Sequence, residues 1–467
     1  MSEASSIFWN TGIRHGGTKP EQAQGRKKPE GMELLATYFS RLKQRQTWRW
    51  QGRVVEAVGQ TIESSGPLCS VGECCEILDG NGQPHLAEVI GFRGNNVLSM
   101  PLESTEGIRF GDKVSALGTL PYLEAGDGLI GRVLNAAGQP IDDGPRPATR
   151  MAIPLDCTVP NPLERVPIRE PLGTGIRAID GMLTVGRGQR IGIFGGSGVG
   201  KSTLIGMMTR NSEADVIVVG LVGERGREVG EFLEESLGPE GRKRSVVVVS
   251  TSDQSPLLRL RAALSATAVA EYFAHQGKHV LLVLDSLTRF AMAAREIGLA
   301  AGEPPTAKGY TPSVFSRMAR LVERAGRFRK GSITAFYTVL MEGDDQQEPI
   351  VDAARSFLDG HIFLSRDLAA EGWYPPIQIL DSVSRLMPAI VADEHMSAAA
   401  LLRRMLAVYA KSEDLIRIGA YKPGADADLD RAIRSRSLVR EFLVQQAHED
   451  VGFEEARGAL EILAGQV

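Results

Sequence analysis

The residues Gly195-Gly196-Ser197-Gly198-Val199-Gly200-Lys201-Ser202 fit the spacing G-x-x-x-x-G-K-[ST]. A buried-type strand pattern, Arg190 to Phe194, precedes them, and a helix-compatible run, Ser202 to Arg210, follows. In that order the small residues let consecutive backbone N–H groups curl around phosphate oxygens at a helix N-terminus, where the partial positive charge favours an anion. Lys201 adds a cation at the β- and γ-phosphates, and Ser202 offers a hydroxyl to Mg²⁺, with Thr203 the next residue of the phosphate-binding set.

Four further groups could complete such a site. Asp285 ends the apolar run Val280-Leu281-Leu282-Val283-Leu284, which places its carboxylate at the carboxyl edge of a sheet, where it could serve Mg²⁺ directly or through water. An Asp after a strand is otherwise a turn or helix cap, and the upstream phosphate loop decides for the metal reading. Glu224 and Arg225 follow the strand pattern Val216 to Val222, so a carboxylate could polarise a water while the arginine holds phosphate oxygens. By itself, however, Gly223-Glu224-Arg225-Gly226-Arg227-Glu228 favours a solvated loop ion pair. Arg385 is either a surface arginine or one lent across a subunit boundary to neutralise transition-state charge, and Tyr374 either stacks on an adenine or packs in a core. No H-E-x-x-H, Cys/His zinc spacing or G-x-S-x-G elbow occurs, so zinc and serine-hydrolase chemistry lack support.

Strands and helices must hold these groups in place. A chain of 467 residues, 43% hydrophobic and 24% charged, is long enough for two or three packed domains. A formal charge of -4 gives no polyanion-binding surface, so nucleic acid is not an expected partner. No apolar run reaches membrane-spanning length and Met1 to Asn10 lacks a signal's apolar stretch, which predicts a soluble cytoplasmic protein. Cys69, Cys74, Cys75 and Cys157 form neither a disulfide framework nor a C-x-x-C pair, and Cys74 and Cys75 would face opposite ways on a strand.

Residues 1–31 read as a polar tail. Met32, Leu35, Tyr38, Phe39 and Leu42 predict an amphipathic helix to about Gln46, packed on its own domain or docking a partner. Short β-rich pieces with a turn at Asp79-Gly80-Asn81-Gly82 predict a small barrel or sandwich over about 47–120. Arg146 to Pro171 reads as a proline-rich wrapping connection. From Arg190 onward, runs apolar on both faces alternate with helices, at Val216 to Val222, Ser245 to Ser250, Val280 to Leu284 and Thr334 to Val339, as in a parallel sheet covered on both sides. Beyond about Pro388 the pattern turns helical, with Leu401, Leu402, Met405, Leu406 and Tyr409 on one face.

Together the motifs resemble the ATP synthase β-subunit superfamily, and most closely its flagellar or virulence type III protein-export ATPases. The resemblance runs from about Trp48 to the C-terminal region. It rests on Gly131-Arg132-Val133-Leu134-Asn135, the phosphate loop, Gly223 to Glu228, Asp285-Ser286-Leu287-Thr288-Arg289-Phe290 and Asp381-Ser382-Val383-Ser384-Arg385. Gly302-Glu303-Pro304-Pro305, Lys308-Gly309-Tyr310 and Glu342 to Ile350 are similar to the export ATPases, and Gln346-Gln347 with Leu358 to Ile362 inclines the reading to the flagellar branch. The tail before Gly31 is longer than the family pattern.

The resemblance implies an N-terminal β-barrel, a central P-loop α/β domain over 121–388 and a C-terminal helical domain over 389–467, assembled as a homohexamer that hydrolyses ATP with Mg²⁺ to energise protein export. It makes Glu224 the catalytic carboxylate, Arg225 a phosphate ligand, Arg289 an active-site arginine, Tyr374 an adenine contact and Arg385 the arginine given to a neighbour. It implies a peripheral-stalk regulator at Met32 to Gln46, central-stalk and export-gate proteins, cargo and chaperones, and a place at the inner face of the cytoplasmic membrane. Two rivals are a ring-shaped RNA translocase, disfavoured by the acidic balance and the few aromatics between Trp48 and Leu120, and a non-catalytic rotary subunit, disfavoured by Glu224 beside an intact phosphate loop.

Overall fold

The computed structural model describes residues 49–467 apart from Glu342 and Asp344. The expected helix from Met32 to Gln46 lies outside the described residues.

Six short strands close a barrel: β1 (Gln51–Val58), β2 (Thr61–Ser64), β3 (Cys74–Leu78), β4 (Pro84–Arg93), β5 (Asn96–Pro101) and β6 (Lys113–Ala116), in the order β1-β2-β5-β4-β3-β6. Alternation fills the barrel with Val54, Ile62, Cys75, Ile77, Ala87, Val89, Val97 and Val114. Cys75 is buried while its neighbour Cys74 is only half-buried, as the period-two pattern of a strand requires. The turn expected at Asp79 to Gly82 joins β3 to β4, and the Asp79 carboxylate accepts the N–H of Asn81 and of Gln83, both at 2.8 Å.

The proline-rich stretch holds more order than its sequence suggests. β9 (Met151–Pro154) pairs antiparallel with β7 (Tyr122–Ala125). Of its four residues only Ile153 is buried, too little apolar signal to stand out among the surrounding prolines.

The central sheet contains β8 (Val133–Asn135), β10 (Arg190–Gly195), β11 (Val216–Glu224), β12 (Ser245–Thr251), β13 (His279–Asp285), β15 (Ser332–Leu340), β16 (Gly360–Phe363) and β17 (Val383–Ser384). Their order is β17-β16-β10-β15-β13-β11-β12-β8. All neighbours run parallel except β17, and the two-residue β14 (Gly326–Arg327) adds an antiparallel pair to β15. Successive residues of β11 enter different cores. Val216, Val218 and Val222 join the one built on helices Pro256–His275 and Leu287–Ala300, whereas Ile217, Val219 and Leu221 join the one built on helix Lys201–Asn211 and the C-terminal helices. That two-sided burial is why the strands read as unbroken apolar runs.

Because the strands are parallel, their C-terminal ends gather at one edge, and there β10, β15, β13 and β11 present Gly195, Leu340, Asp285 and Glu224 in spatial order. β10 lies between β15 and β16, so the chain leaves it where connections diverge, the place where open α/β sheets bind ligands.

Helices Asp393–Arg417, Ala427–Leu443 and Phe453–Gln466 form the C-terminal region. Of the apolar face seen in sequence, Leu402 and Met405 are buried and Leu401, Leu406 and Tyr409 are half-buried. Leu402, Val439, Phe442 and Leu460 share one core with Ile191, Ile193 and Leu204, so these helices complete the cover of the sheet's second face.

Candidate active site

The phosphate loop is shaped by backbone before any side chain contributes. Gly198 and Gly200 have φ of 77° and 91°, a region that costs other residues strain. Val199, between them, is 2% exposed and pegs the loop into the core, while Ser197, Ser202 and Thr203 stay exposed. Gly195 and Gly196 are buried at the end of β10. Helix Lys201–Asn211 begins directly behind, so its free N-terminal amides face the loop.

Lys201 is 8% exposed, and its ammonium donates to the carbonyl oxygens of Gly195, at 3.0 Å, and Gly196. Beside it, Asp285 is 7% exposed and accepts the Thr338 hydroxyl proton at 2.6 Å. Burial raises the Asp285 carboxyl above the usual carboxylate range, opposed by the Thr338 hydrogen bond and the Lys201 charge.

Glu224 reaches the same edge by a local irregularity. The β11–β12 register shifts between Val222 and Glu224, so Gly223 (φ 72°) forms a bulge that re-aims the carboxylate. A Cβ on Gly223 would stand 3.1 Å from the Cβ of Arg289, which shows how closely the arginine stem lies over this peptide. Partial burial raises the Glu224 carboxyl well above its ordinary value, Asp285 raises it further, the carboxyl of Glu228 adds a hydrogen bond, and Arg289 pulls the other way. Arg289 follows Ser286, whose side chain caps helix Leu287–Ala300 by accepting the Arg289 N–H at 3.2 Å. Among the described residues its Nε is buried with no hydrogen-bond partner, leaving a donor for an anionic oxygen.

Lys201, Asp285, Glu224 and Arg289 thus converge, whereas three other residues stand apart from that cluster. Arg225 is exposed and pairs with Glu228 at 3.6 Å, the solvated loop pair that sequence reasoning also allowed. Tyr374 is 51% exposed, in a turn whose Pro376 comes within 3.9 Å of where a Cβ on Gly200 would lie, so it flanks the phosphate loop. Arg385 is exposed at the opposite end of the strands. Its N–H donates to Asp359 O at 3.1 Å, Asp359 N–H donates to Arg190 O at 2.8 Å, and its guanidinium donates to Arg355 O at 3.3 Å. The rise from Arg190 to Gly195, at about 3.3 Å per residue, carries the phosphate loop about 16 Å away, beyond the span of an arginine side chain. Arg385 cannot serve the phosphate loop of its own chain.

Two groups of the site escaped sequence reasoning. Thr338 is a polar break in the apolar run of β15, and Glu228 sits four residues after Glu224, on a short helix, Gly226–Glu231, that the loop-like glycines concealed. Little marked out the first, because Ser332, Thr334 and Tyr337 are also buried hydroxyl-bearing residues of β15.

The comparisons agree with this architecture along its length. Family models described as the ATP synthase alpha/beta family, beta-barrel domain and nucleotide-binding domain match residues 54–118 and 175–384, and one described as the T3SS EscN ATPase C-terminal domain matches 391–461. The flagellum-specific ATP synthase of Treponema pallidum is 51% identical over 434 residues, 93% of this chain and 97% of that one. The type 3 secretion system ATPase of Xanthomonas euvesicatoria is 47% identical over 87% of this chain and 92% of that one. Among solved structures, the assembled ATPase EscN of the enteropathogenic E. coli type III secretion system superimposes with a TM-score of 0.84 at 44% identity, over 88% of this chain and 100% of that one. A barrel, a phosphate-loop sheet and a helical end in one order, with near full-length identity at this level, establish that the chain belongs to the ATP synthase alpha/beta family, among the flagellum-specific ATP synthases and type 3 secretion system ATPases.

Proposed function

We propose that this chain hydrolyses Mg-ATP in a homohexameric ring and that the ring energises protein export through a flagellar or related type III apparatus. The domain limits suggested by sequence, near residues 120 and 388, are part of that proposal. One observation carries it: Lys201, Asp285 and Glu224 gather at one end of the sheet while Arg385 stands exposed at the other. Identical copies packed head to tail would bring the far end of one sheet to the phosphate loop of the next.

In the proposed site, the loop from Gly195 to Ser202 and Thr203 cradles the phosphates, Lys201 neutralises the β- and γ-oxygens and Arg289 holds further phosphate oxygens, while Arg225 would have to leave its pair with Glu228 to reach one. Tyr374 flanks the adenine. Ser202 and Asp285 supply a hydroxyl and a carboxylate, hard oxygen donors that suit Mg²⁺. Among the described residues no three His, Cys, Asp or Glu side chains are arranged to hold a metal by themselves, which accords with an ion carried in by the triphosphate. Bound there, Mg²⁺ would neutralise charge on the phosphate oxygens. Glu224 takes the proton or orients the attacking water, and Arg385 of the next copy meets the charge that develops in the transition state.

The solved EscN structure in complex with its central stalk EscO, 44% identical with a TM-score of 0.82, supports a stalk partner for this ring. We infer in addition a peripheral-stalk regulator at Met32 to Gln46, export-gate proteins, cargo and chaperones, and a place at the inner face of the cytoplasmic membrane. No helix among the described residues is long and apolar enough to cross a membrane, so attachment there would run through those partners.

Measuring ATPase rate against protein concentration together with molar mass tests sharing directly. Specific activity should climb as mass shifts from one copy to the ring; a demonstrably monomeric sample with full specific activity would refute the reading.

The raised Glu224 carboxyl gives a pH test. A base works only when ionised, so kcat/KM should fall on acidification at a pH above the ordinary carboxylate range of about 4.3. Stability has the opposite dependence. A carboxyl whose folded pKa is raised binds its proton more tightly in the fold, so its contribution is complete below the unfolded pKa and is lost as pH rises through the folded one. Glu224→Gln should therefore melt with the wild type only below the unfolded carboxyl's pKa of about 4.3 and increasingly above it as pH rises toward the folded value of about 8, while losing turnover throughout. An alkaline melting point equal to the wild type would contradict the charge crowding around Glu224, Asp285 and Glu228.

A further inference from the structure

The turn that carries Tyr374 is fastened to the C-terminal helices. Trp373, 7% exposed, lies beneath two guanidinium groups of helix Ala427–Leu443: Arg436 at 5.7 Å and Arg440 at 5.5 Å from its ring centroid. Arg436 also lies 3.7 Å from the ring centroid of Tyr409 on helix Asp393–Arg417, so it ties both helices to the indole. Arg440 donates to Glu371 O at 3.2 Å, and the N–H of Gln445 donates to Tyr374 O at 2.8 Å.

Gln445 belongs to the short linker between helices Ala427–Leu443 and Phe453–Gln466, and the linker grips the other wall as well. The Gln445 side chain is 1% exposed, accepts the Arg177 N–H at 2.8 Å and donates to Gly175 O at 2.7 Å. Further along, Ala447 O accepts from the Arg210 guanidinium at 2.6 Å and Glu449 O from the Asn211 amide at 2.9 Å. Arg210 and Asn211 end the helix whose first turn carries Lys201 and Ser202. One linker thus touches both the Tyr374 turn and the far end of the phosphate-loop helix.

We propose that Arg436, Arg440 and Gln445 are positioning residues for nucleotide binding: they fix the Tyr374 turn against the phosphate-loop helix and so set the affinity for the base of ATP. The proposal rests on the reading of Tyr374 as the adenine contact. Cation–π contacts on a buried indole and hydrogen bonds to two carbonyls of the turn make it the more rigid partner. Loosening them frees the base wall while the phosphate loop, built on β10, keeps its shape.

Arg440 is exposed and Arg436 half-buried, and neither is a partner of the Gln445 side chain, so changing them spares its buried amide network. In the full chain, Arg436→Ala/Arg440→Ala should raise KM for ATP about tenfold, the order expected for losing two such contacts. The rate constant kcat should hold within about a factor of two, because the reacting end is unaltered. Inhibition by tripolyphosphate, which has phosphates and no base, should be unchanged, and Arg436→Lys/Arg440→Lys should restore much of the affinity. Tyr374→Ala, measured beside it, separates the two levels. If Tyr374→Ala raises KM for ATP but the double alanine variant does not, the positioning proposal is overturned and the adenine reading stands. If Tyr374→Ala leaves KM unchanged, the adenine reading fails and takes the proposal with it. A double variant that weakens tripolyphosphate and lowers kcat to the same degree reports general damage and also overturns it.

Discussion

Arg385→Ala is expected to retain nucleotide binding and lose turnover by about 10³–10⁵-fold, the range for removing an arginine that meets transition-state charge. The expectation comes from geometry. Arg385 is held at the far end of β16 and β17 by backbone bonds through Asp359, and its exposed guanidinium donates to the Arg355 carbonyl at 3.3 Å. Removing an exposed side chain leaves the fold alone, so the melting temperature should move little. The decisive measurement mixes this variant with Glu224→Ala. In mixed rings some sites pair an intact Glu224 with an intact Arg385 from the adjacent copy, so phosphate release should reappear although neither variant is active alone. Well-mixed rings that stay inactive would mean that Arg385 does not act on a neighbour.

Lys201→Ala is expected to reduce phosphate release by more than about 10²–10³-fold, the cost of one preorganised donor, since here a full charge is lost from a buried position. The ammonium sits against Gly195 and Gly196 carbonyls and lowers the Asp285 carboxyl that burial otherwise raises. Without it two effects add: the β- and γ-oxygens lose their cation, and Asp285 drifts further toward its protonated form, unsuited to a metal ion. Lys201→Arg should not rescue, because the enclosed site accommodates a compact point charge and not a planar fork. Near-normal turnover in Lys201→Ala would refute the site.

Much of the architecture was legible because each layer leaves a periodic mark. The runs Val216 to Val222 and Val280 to Leu284 are apolar on both faces because each strand feeds two cores, and that same pattern is enough to place Asp285 at a sheet edge. Glu224 was harder. Its approach to Asp285 depends on a bulge at Gly223 and on the stem of Arg289 crossing that peptide, both long-range facts that a loop-like Gly-Glu-Arg-Gly does not announce. For Arg385, sequence offered only a surface arginine or a borrowed one, and it took the antiparallel turn of β17 to set it opposite its own phosphate loop. The short strand β9 went unseen because one buried Ile among prolines carries no period.

The polarity of the sheet has a counting consequence. Each copy owns a cradle at one end and an exposed guanidinium at the other, so under the proposed sharing an open arc would have an unserved cradle at one tip and an idle arginine at the opposite tip. An arc therefore holds one working centre fewer than its members, and only the joining of its two tips makes the numbers equal. Completion of the circle would switch on the last centre at the moment the assembly is whole, so that fuel is not consumed at full rate by fragments that have nothing to drive.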